Sequence, residues 1–219
     1  MQTDLALMTL LHILVFVYWL GGDLGAFYSS RFVTDTSKSV PARLLAAKIL
    51  GDIDMAPRTC LLLALPTGLA LANAKGWIAI NGMWIVTAFA VAAIWIFTLF
   101  HLHRSTAPQN GLKAVDKGAR ILFLVGLSGV AAAGLLKWTA LPLFLSLKAL
   151  LLAFCILMGL LIRQMLIPFG AAFGKLVAEG ASPDVDETLR ASLGRARPFV
   201  LTIWVALLLA AWLGLRTPV

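Results

Sequence analysis

An all-α fold, a polytopic bundle of six membrane-spanning helices, is predicted by three observations on this sequence. Hydrophobic residues fill 61% of the 219 positions and charged residues only 13%, whereas a soluble domain is about half apolar and about a quarter charged. The apolar residues form six long runs with little or no charge. These runs are continuous and lack the alternation of a membrane β-strand. The composition excludes a soluble globular enzyme, a disordered chain and a nucleic-acid binder.

The six runs are taken in order as the spans of one transmembrane domain, residues 1–219. A helix rises about 1.5 Å per residue, so about 20 residues cross a hydrocarbon core roughly 30 Å thick. The first run is predicted to be a retained helix, because no basic residue precedes it and it is too long for a signal peptide. The third and fifth runs are also long enough, whereas the others must recruit flanking residues or thin the bilayer. The predicted spans are 5–27, 55–73, 77–100, 121–136, 141–162 and 199–215.

Basic residues are distributed very unevenly between the two sides of this predicted bundle. Fourteen lie in or beside the loops after the first, third and fifth spans, and three lie on the other side. Basic loops stay in the cytoplasm, so both termini are predicted to face outward. We expect a multi-pass protein of a bacterial inner membrane, in which most of the formal charge of +8 is an orientation signal.

The longest loop carries a helix-start signal. Ser182 stands at the cap position, Pro183 follows at the first helical position, and Asp184 and Asp186 lie in the first turn. Arg195 lies near the far end of the same segment. The pattern predicts a short amphipathic helix near the cytoplasmic membrane surface.

An internal repeat is the second organisational feature. The segments 58–104 and 120–163 each run from an arginine through a tryptophan, Trp77 or Trp138, to a second arginine. Matching positions are 59 to 62 residues apart. The spacing suggests duplication of a two-helix unit that leaves the cytoplasm and returns.

Two residues that do not belong in a bilayer share one predicted depth. Lys148 lies seven residues into the fifth span, and His12 lies seven residues from the outer end of the first, each roughly 10 Å below the outer boundary. A charged lysine at a helix centre costs about 2.5–3.5 kcal/mol on insertion scales, so Lys148 either snorkels outward or meets a partner inside the bundle. Met83 on the third span falls in the same layer. Imidazole binds haem iron and a thioether or amine can lie opposite it; the alternative for His12 is a hydrogen bond to a neighbouring helix.

The first span carries further polar candidates on the histidine face. Trp19 and Asp23 follow His12 at spacings of seven and four residues, which place all three on one side of the helix. We expect Asp23 to pair with Arg31 or Arg58, and a role in proton handling is the alternative. These residues extend the candidate site toward the inner end of the helix.

Two more histidines and two cysteines are assigned to structural roles. His101 and His103 are two residues apart at the inner end of the third span, so they do not face each other on a helix. They also lie across the bilayer from His12, and an interfacial position is expected for both. Cys60 and Cys155 lie in apolar runs and are predicted to be small core residues.

The first helix resembles a known membrane superfamily. Leu11–His12, Trp19, Gly21–Gly22 and the stretch Phe27–Val33 resemble the first helix of the superfamily that contains copper-resistance protein D and the HemJ-type protoporphyrinogen oxidase. Leu147–Leu151 is similar to the lysine-bearing helix of both groups. In HemJ-type proteins the histidine and lysine are associated with haem b and oxidase activity, so the resemblance implies these roles for His12 and Lys148.

Three functions follow from these residues. The first is a b-type haem protein, a membrane oxidoreductase exchanging electrons with a quinone, a porphyrin-like substrate or a redox partner. His12 would bind the iron, with Lys148 or Met83 opposite, Trp19 nearby, and Lys148 as the catalytic residue or the partner of a propionate. The second is copper handling, since Met8 and His12 are four apart on one helix face. The third is an accessory subunit of a larger membrane complex; a homo-oligomer is compatible with all three.

Overall fold

The structure, a computed structural model, describes residues 2–105 and 109–217, with the side chains of residues 2–4 left out. The described residues form eight α-helices and no strand. Six helical stretches are long and apolar enough to cross a membrane, which confirms the predicted all-α fold class. The helices are α1 (Gln2–Val33), α2 (Val40–Ile53), α3 (Met55–Ala74), α4 (Gly82–Arg104), α5 (Asn110–Leu135), α6 (Leu143–Met165), α7 (Ile167–Glu179) and α8 (Pro183–Arg216).

The bundle has two ends that differ in charge. Because the number of spans is even, both termini lie at one end, which we call the terminal end. The loops after α1, α4 and α6 lie at the other, which we call the basic end, and the shorter helices α2 and α7 lie there too. Which end faces the cytoplasm stays a prediction.

Two spans extend well beyond the apolar runs that predict them. The first continues from residue 27 to Val33, and the fourth begins at Asn110 instead of 121. Charged residues enter α5 because they find partners there. Asp116 is 3% exposed and ion-paired with Arg120 one turn further on, so hydropathy alone underestimates the length of this helix.

The turns that close the hairpins α3–α4 and α5–α6 have the same geometry. Gly76 and Lys137 each adopt a left-handed conformation, with φ of 70° and 58°. The next residues, Trp77 and Trp138, each donate the backbone N–H to the carbonyl five residues earlier. As a result α4 begins at 82 instead of 77, and α6 begins 61 residues later. Duplication stays a prediction, but the two tryptophans occupy equivalent places.

The last helix starts where the sequence predicts and then runs much further. The Ser182 hydroxyl accepts a hydrogen bond from Val185 N at 3.4 Å, and Pro183 lies in the first turn. The predicted short amphipathic helix is not a separate element, because α8 continues for 34 residues to Arg216. Its first turns are apolar on one side, where Val185 and Leu189 pack against α7 and α2.

The main apolar core lies between α1, α3, α6 and α8. The first helix packs chiefly along α3, and α6 packs between α5 and α8. Trp19, Met158 and Ile203 meet in this core together with Cys60 and Cys155. Both cysteines are free and buried, which confirms their predicted place among the core residues.

Gly22→Ala is expected to lower the free energy of unfolding by about 1–3 kcal/mol through overpacking. A Cβ at Gly22 would lie 2.7 Å from Pro57 Cδ and 3.1 Å from Ala56 Cβ, because α1 and α3 touch there. Gly21→Ala is the matched control, since nothing lies within 4 Å of its Cβ position and alanine favours the helix. Thermal unfolding in detergent measures both variants, and equal stabilities would contradict this packing.

Candidate functional site

A single hydrogen bond holds the His12 ring against α3. Nδ1 lies 2.9 Å from Thr67 Oγ1, and the Thr67 hydroxyl gives its own hydrogen to the Leu63 carbonyl at 2.6 Å. Thr67 Oγ1 therefore accepts from His12, so a ring with one proton carries it on Nδ1. Nε2 keeps its lone pair and makes no hydrogen bond with a described residue. A histidine fixed in this way can take a metal or a proton at Nε2.

Lys148 of α6 approaches His12 within the bundle. The two side chains lie within electrostatic range of each other. Glycines make room for both: a Cβ at Gly214 of α8 would lie 2.9 Å from Lys148 Nζ, and one at Gly68 of α3 would lie 3.3 Å from His12 Cε1. No carboxylate of the described residues pairs with Lys148, so its charge is free to meet an acidic group of a ligand.

The two methionines named with His12 lie in different surroundings. Met83 is 69% exposed in the first turn of α4, and α4 packs against α3, not α1. The structure therefore does not bring Met83 to His12. Met8 is half-buried one turn before the histidine on α1. Within the described ranges, no three His, Cys, Asp or Glu side chains form a group that could hold a metal ion.

The other two histidines lie at the basic end, far from His12. His101 is exposed on the last turn of α4. His103 Nε2 lies 3.0 Å from Asp52 Oδ1 at the junction with α2. Their positions at the end of the span agree with an interfacial role, and they are not brought to the His12 layer.

Asp23 lies in the interior beside Trp19, without an arginine partner. Trp19 is 5% exposed and lies near Asp23, while Asp23 Oδ2 is buried and has no hydrogen-bond partner among the described residues. The predicted pairing with Arg31 or Arg58 is wrong, because Arg58 pairs with Asp54 one turn earlier and Arg31 is exposed. Asp23 is about 16 Å along α1 from His12, so it does not contact His12 or the residues around that histidine.

An apolar groove of about 530 Å³ runs between α1, α3 and α4. Thr67 lines it toward the terminal end, Tyr18 and Phe89 form aromatic walls, and Asp52 lies toward the basic end. Thr59 also lines it, with a buried hydroxyl that has no partner. The volume falls in the range of small-molecule sites. The groove links the threonine that holds the imidazole to the lipid-facing surface of the bundle.

An ionic cluster at the basic end of α4, α5 and α6 was missed by the sequence analysis. Asp116 accepts hydrogen bonds from Trp95 Nε1 at 2.8 Å, Arg120 Nε at 3.1 Å and Arg163 Nη1 at 2.6 Å. The spacing of four between Asp116 and Arg120 is a recognisable helix-pair signal. Nothing in the sequence indicates that Trp95 and Arg163 complete the cluster.

A second buried ion pair joins three helices at the same end. Arg43 of α2 is 1% exposed. Its Nε donates to the Val33 carbonyl at 2.9 Å, and its Nη2 donates to Asp186 Oδ1 at 2.7 Å. In the sequence Arg43 is recognisable only as an orientation charge, because its carboxylate partner is 143 residues away.

Comparison of the chain with protein-family models, with curated proteins and with solved structures finds no match. The six helical stretches that are long and apolar enough to cross a membrane characterise the chain as a multi-pass helical bundle.

Proposed function

We propose that this protein binds haem b at His12 and takes part in electron transfer, or in the oxidation of a quinone or porphyrin-like substrate. The observation that carries the proposal is that the hydrogen bond of His12 Nδ1 to Thr67 of the neighbouring helix, the expected alternative role of this histidine, leaves Nε2 without a hydrogen bond to any described residue. The resemblance of the first helix and of the Lys148 segment to the copper-resistance D and HemJ-type superfamily supports the same reading.

The residues present fit an axial imidazole. Metal-bound histidines fix their second ring nitrogen through a hydrogen bond that sets the tautomer, and Thr67 supplies that bond here. Bound haem would supply one-electron chemistry. Lys148 would offer the haem either an amine ligand or an ammonium group for a propionate, since no carboxylate of the described residues pairs with it.

Access from the bilayer is also available. The groove between α1, α3 and α4 is lined by Thr67, the residue that holds the His12 ring. A hydrophobic ring such as a quinone would enter it from the lipid, because the walls are almost entirely apolar side chains. The chain's own contribution is thus to fix the imidazole and to place the Lys148 amine within electrostatic range of it.

Loss of the Soret absorption band is the expected result of His12→Ala. Detergent-purified protein is loaded with haem, and the excess haem is removed. Absorption spectra are then recorded for the oxidised and for the reduced protein. Thr67→Val removes the hydroxyl that fixes the ring, so haem affinity is expected to fall about 10- to 100-fold. His103→Ala is the control, a histidine at the basic end whose loss leaves the band unchanged. Wild-type protein without a Soret band after loading, or an unchanged band in His12→Ala, would refute the proposal.

A further inference from the structure

A separate cavity of about 130 Å³ lies between α3, α4, α5 and α6. Pro66 and Phe123 are among its apolar walls, and Arg120 is its one charged lining residue. Val91 also lines it and is 43% exposed on the surface of α4. The cavity therefore has an edge at the bilayer, where α4 and α5 pack only sparsely against each other.

Arg120 lines this cavity and has a hydrogen-bond donor that no described residue uses. Its side chain is 7% exposed, and Nε is engaged with both oxygens of Asp116 at 3.2 and 3.1 Å. Nη2 is buried and has no hydrogen-bond partner among the described residues. An unpaired buried donor on a charged group is costly, so a ligand that supplies an acceptor would be favoured.

The charges around Arg120 also leave a positive excess. Asp116 is the single carboxylate of the cluster, and it is shared between Arg120 and Arg163. Among the described residues this cluster thus has two guanidinium groups and one carboxylate, and Arg163 is 38% exposed whereas Arg120 is buried. A water molecule would be a poor partner for the Arg120 guanidinium. A buried water requires two to four polar partners, and the described cavity walls offer only the guanidinium.

We propose that this cavity binds an oxyanion-headed amphiphile, whose carboxylate or phosphate oxygen accepts a hydrogen bond from Arg120 Nη2. An apolar cavity of about 150 Å³ admits a molecule the size of benzene, so this one holds the head and the first few carbons. The rest of the amphiphile's hydrocarbon chain extends into the bilayer beside Val91. The site is independent of His12, which lies on α1 outside this cavity.

Equilibrium binding of radiolabelled oleate to the detergent-purified full chain tests the proposal. We expect one saturable site per chain, with methyl oleate binding about 10- to 100-fold more weakly because it has lost the charge that strengthens the hydrogen bond. Arg120→Gln is expected to lower oleate affinity by a similar factor. A single-chain lysophosphatidate is the second ligand: preference for it over oleate assigns a phosphate head, and the reverse assigns a carboxylate.

A cavity-filling variant keeps the test valid if Arg120→Gln fails to fold. Ala88 lines the cavity, so Ala88→Leu is expected to weaken oleate binding at least tenfold while Arg120 remains. Ala93→Leu is the matched control, since Ala93 is exposed on the same helix. Equal binding of the acid and its methyl ester, wild-type binding by Ala88→Leu, or no saturable binding of either ligand would overturn the proposal.

Discussion

Asp116→Ala is expected to lower the free energy of unfolding by about 3–5 kcal/mol, the cost of removing one partner from a buried ion pair. The carboxylate is 3% exposed and accepts hydrogen bonds from Trp95, Arg120 and Arg163. Its loss leaves the Arg120 guanidinium buried without any anion. Titration with a denaturing detergent, followed by circular dichroism, measures the change.

The matched control for this variant is a surface acid in an ordinary ion pair. Glu187 is 71% exposed and lies 3.6 Å from Arg190, so Glu187→Ala should change stability by less than about 1 kcal/mol. The double variant Asp116→Ala, Arg120→Met should be more stable than Asp116→Ala alone, because it no longer buries a cation without a partner. If Asp116→Ala were as stable as Glu187→Ala, the cluster would contribute nothing to the fold.

Arg43→Ala is expected to cost about 2–4 kcal/mol and to loosen the basic end of the bundle. The variant leaves the Val33 carbonyl without its donor and Asp186 without its charge partner, and it opens a cavity where a buried side chain stood. The effect should be local. Amide hydrogen exchange is therefore expected to rise in α2 and in the first turns of α8, with little change in α6.

Arg43→Lys separates charge from geometry in this prediction. A lysine ammonium keeps the charge but lacks the planar fork that reaches the Val33 carbonyl and Asp186 together, so only partial recovery is expected. Arg190→Ala, at an exposed position in the same region, should leave exchange unchanged. Protection in Arg43→Ala equal to wild type would show that the three helices are held together by apolar packing alone.

The number of spans is predicted correctly from the sequence, because each apolar run is stabilised by the bilayer and needs no tertiary partner. Helix ends depend on specific neighbours and are predicted less well. Asp116 and Arg120 stand outside the predicted fourth span because isolated charges there would be costly. Only the fold supplies Arg163 and Trp95, which make the helical extension stable.

The candidate site was predictable in part for the same reason. His12 and Lys148 stand out because each is out of place in its own helix, and no knowledge of packing is needed to notice them. Thr67 gives no such signal, since a threonine in a membrane helix commonly bonds its own backbone, as this one does. Met83 could be assigned a depth from the sequence but not a neighbour, and its side chain is 69% exposed on α4.

The last helix, α8, is longer than the crossing of a membrane requires. Its 34 residues extend roughly 50 Å, well beyond a hydrocarbon core of roughly 30 Å. At the basic end, Asp186 of α8 forms an ion pair with Arg43. Near the terminal end, Gly214 of α8 lies against the Lys148 side chain. Pro198 removes one backbone hydrogen bond between these points. One continuous helix therefore carries both the ion pair with Arg43 and the glycine that makes room for Lys148, at opposite ends of the bundle.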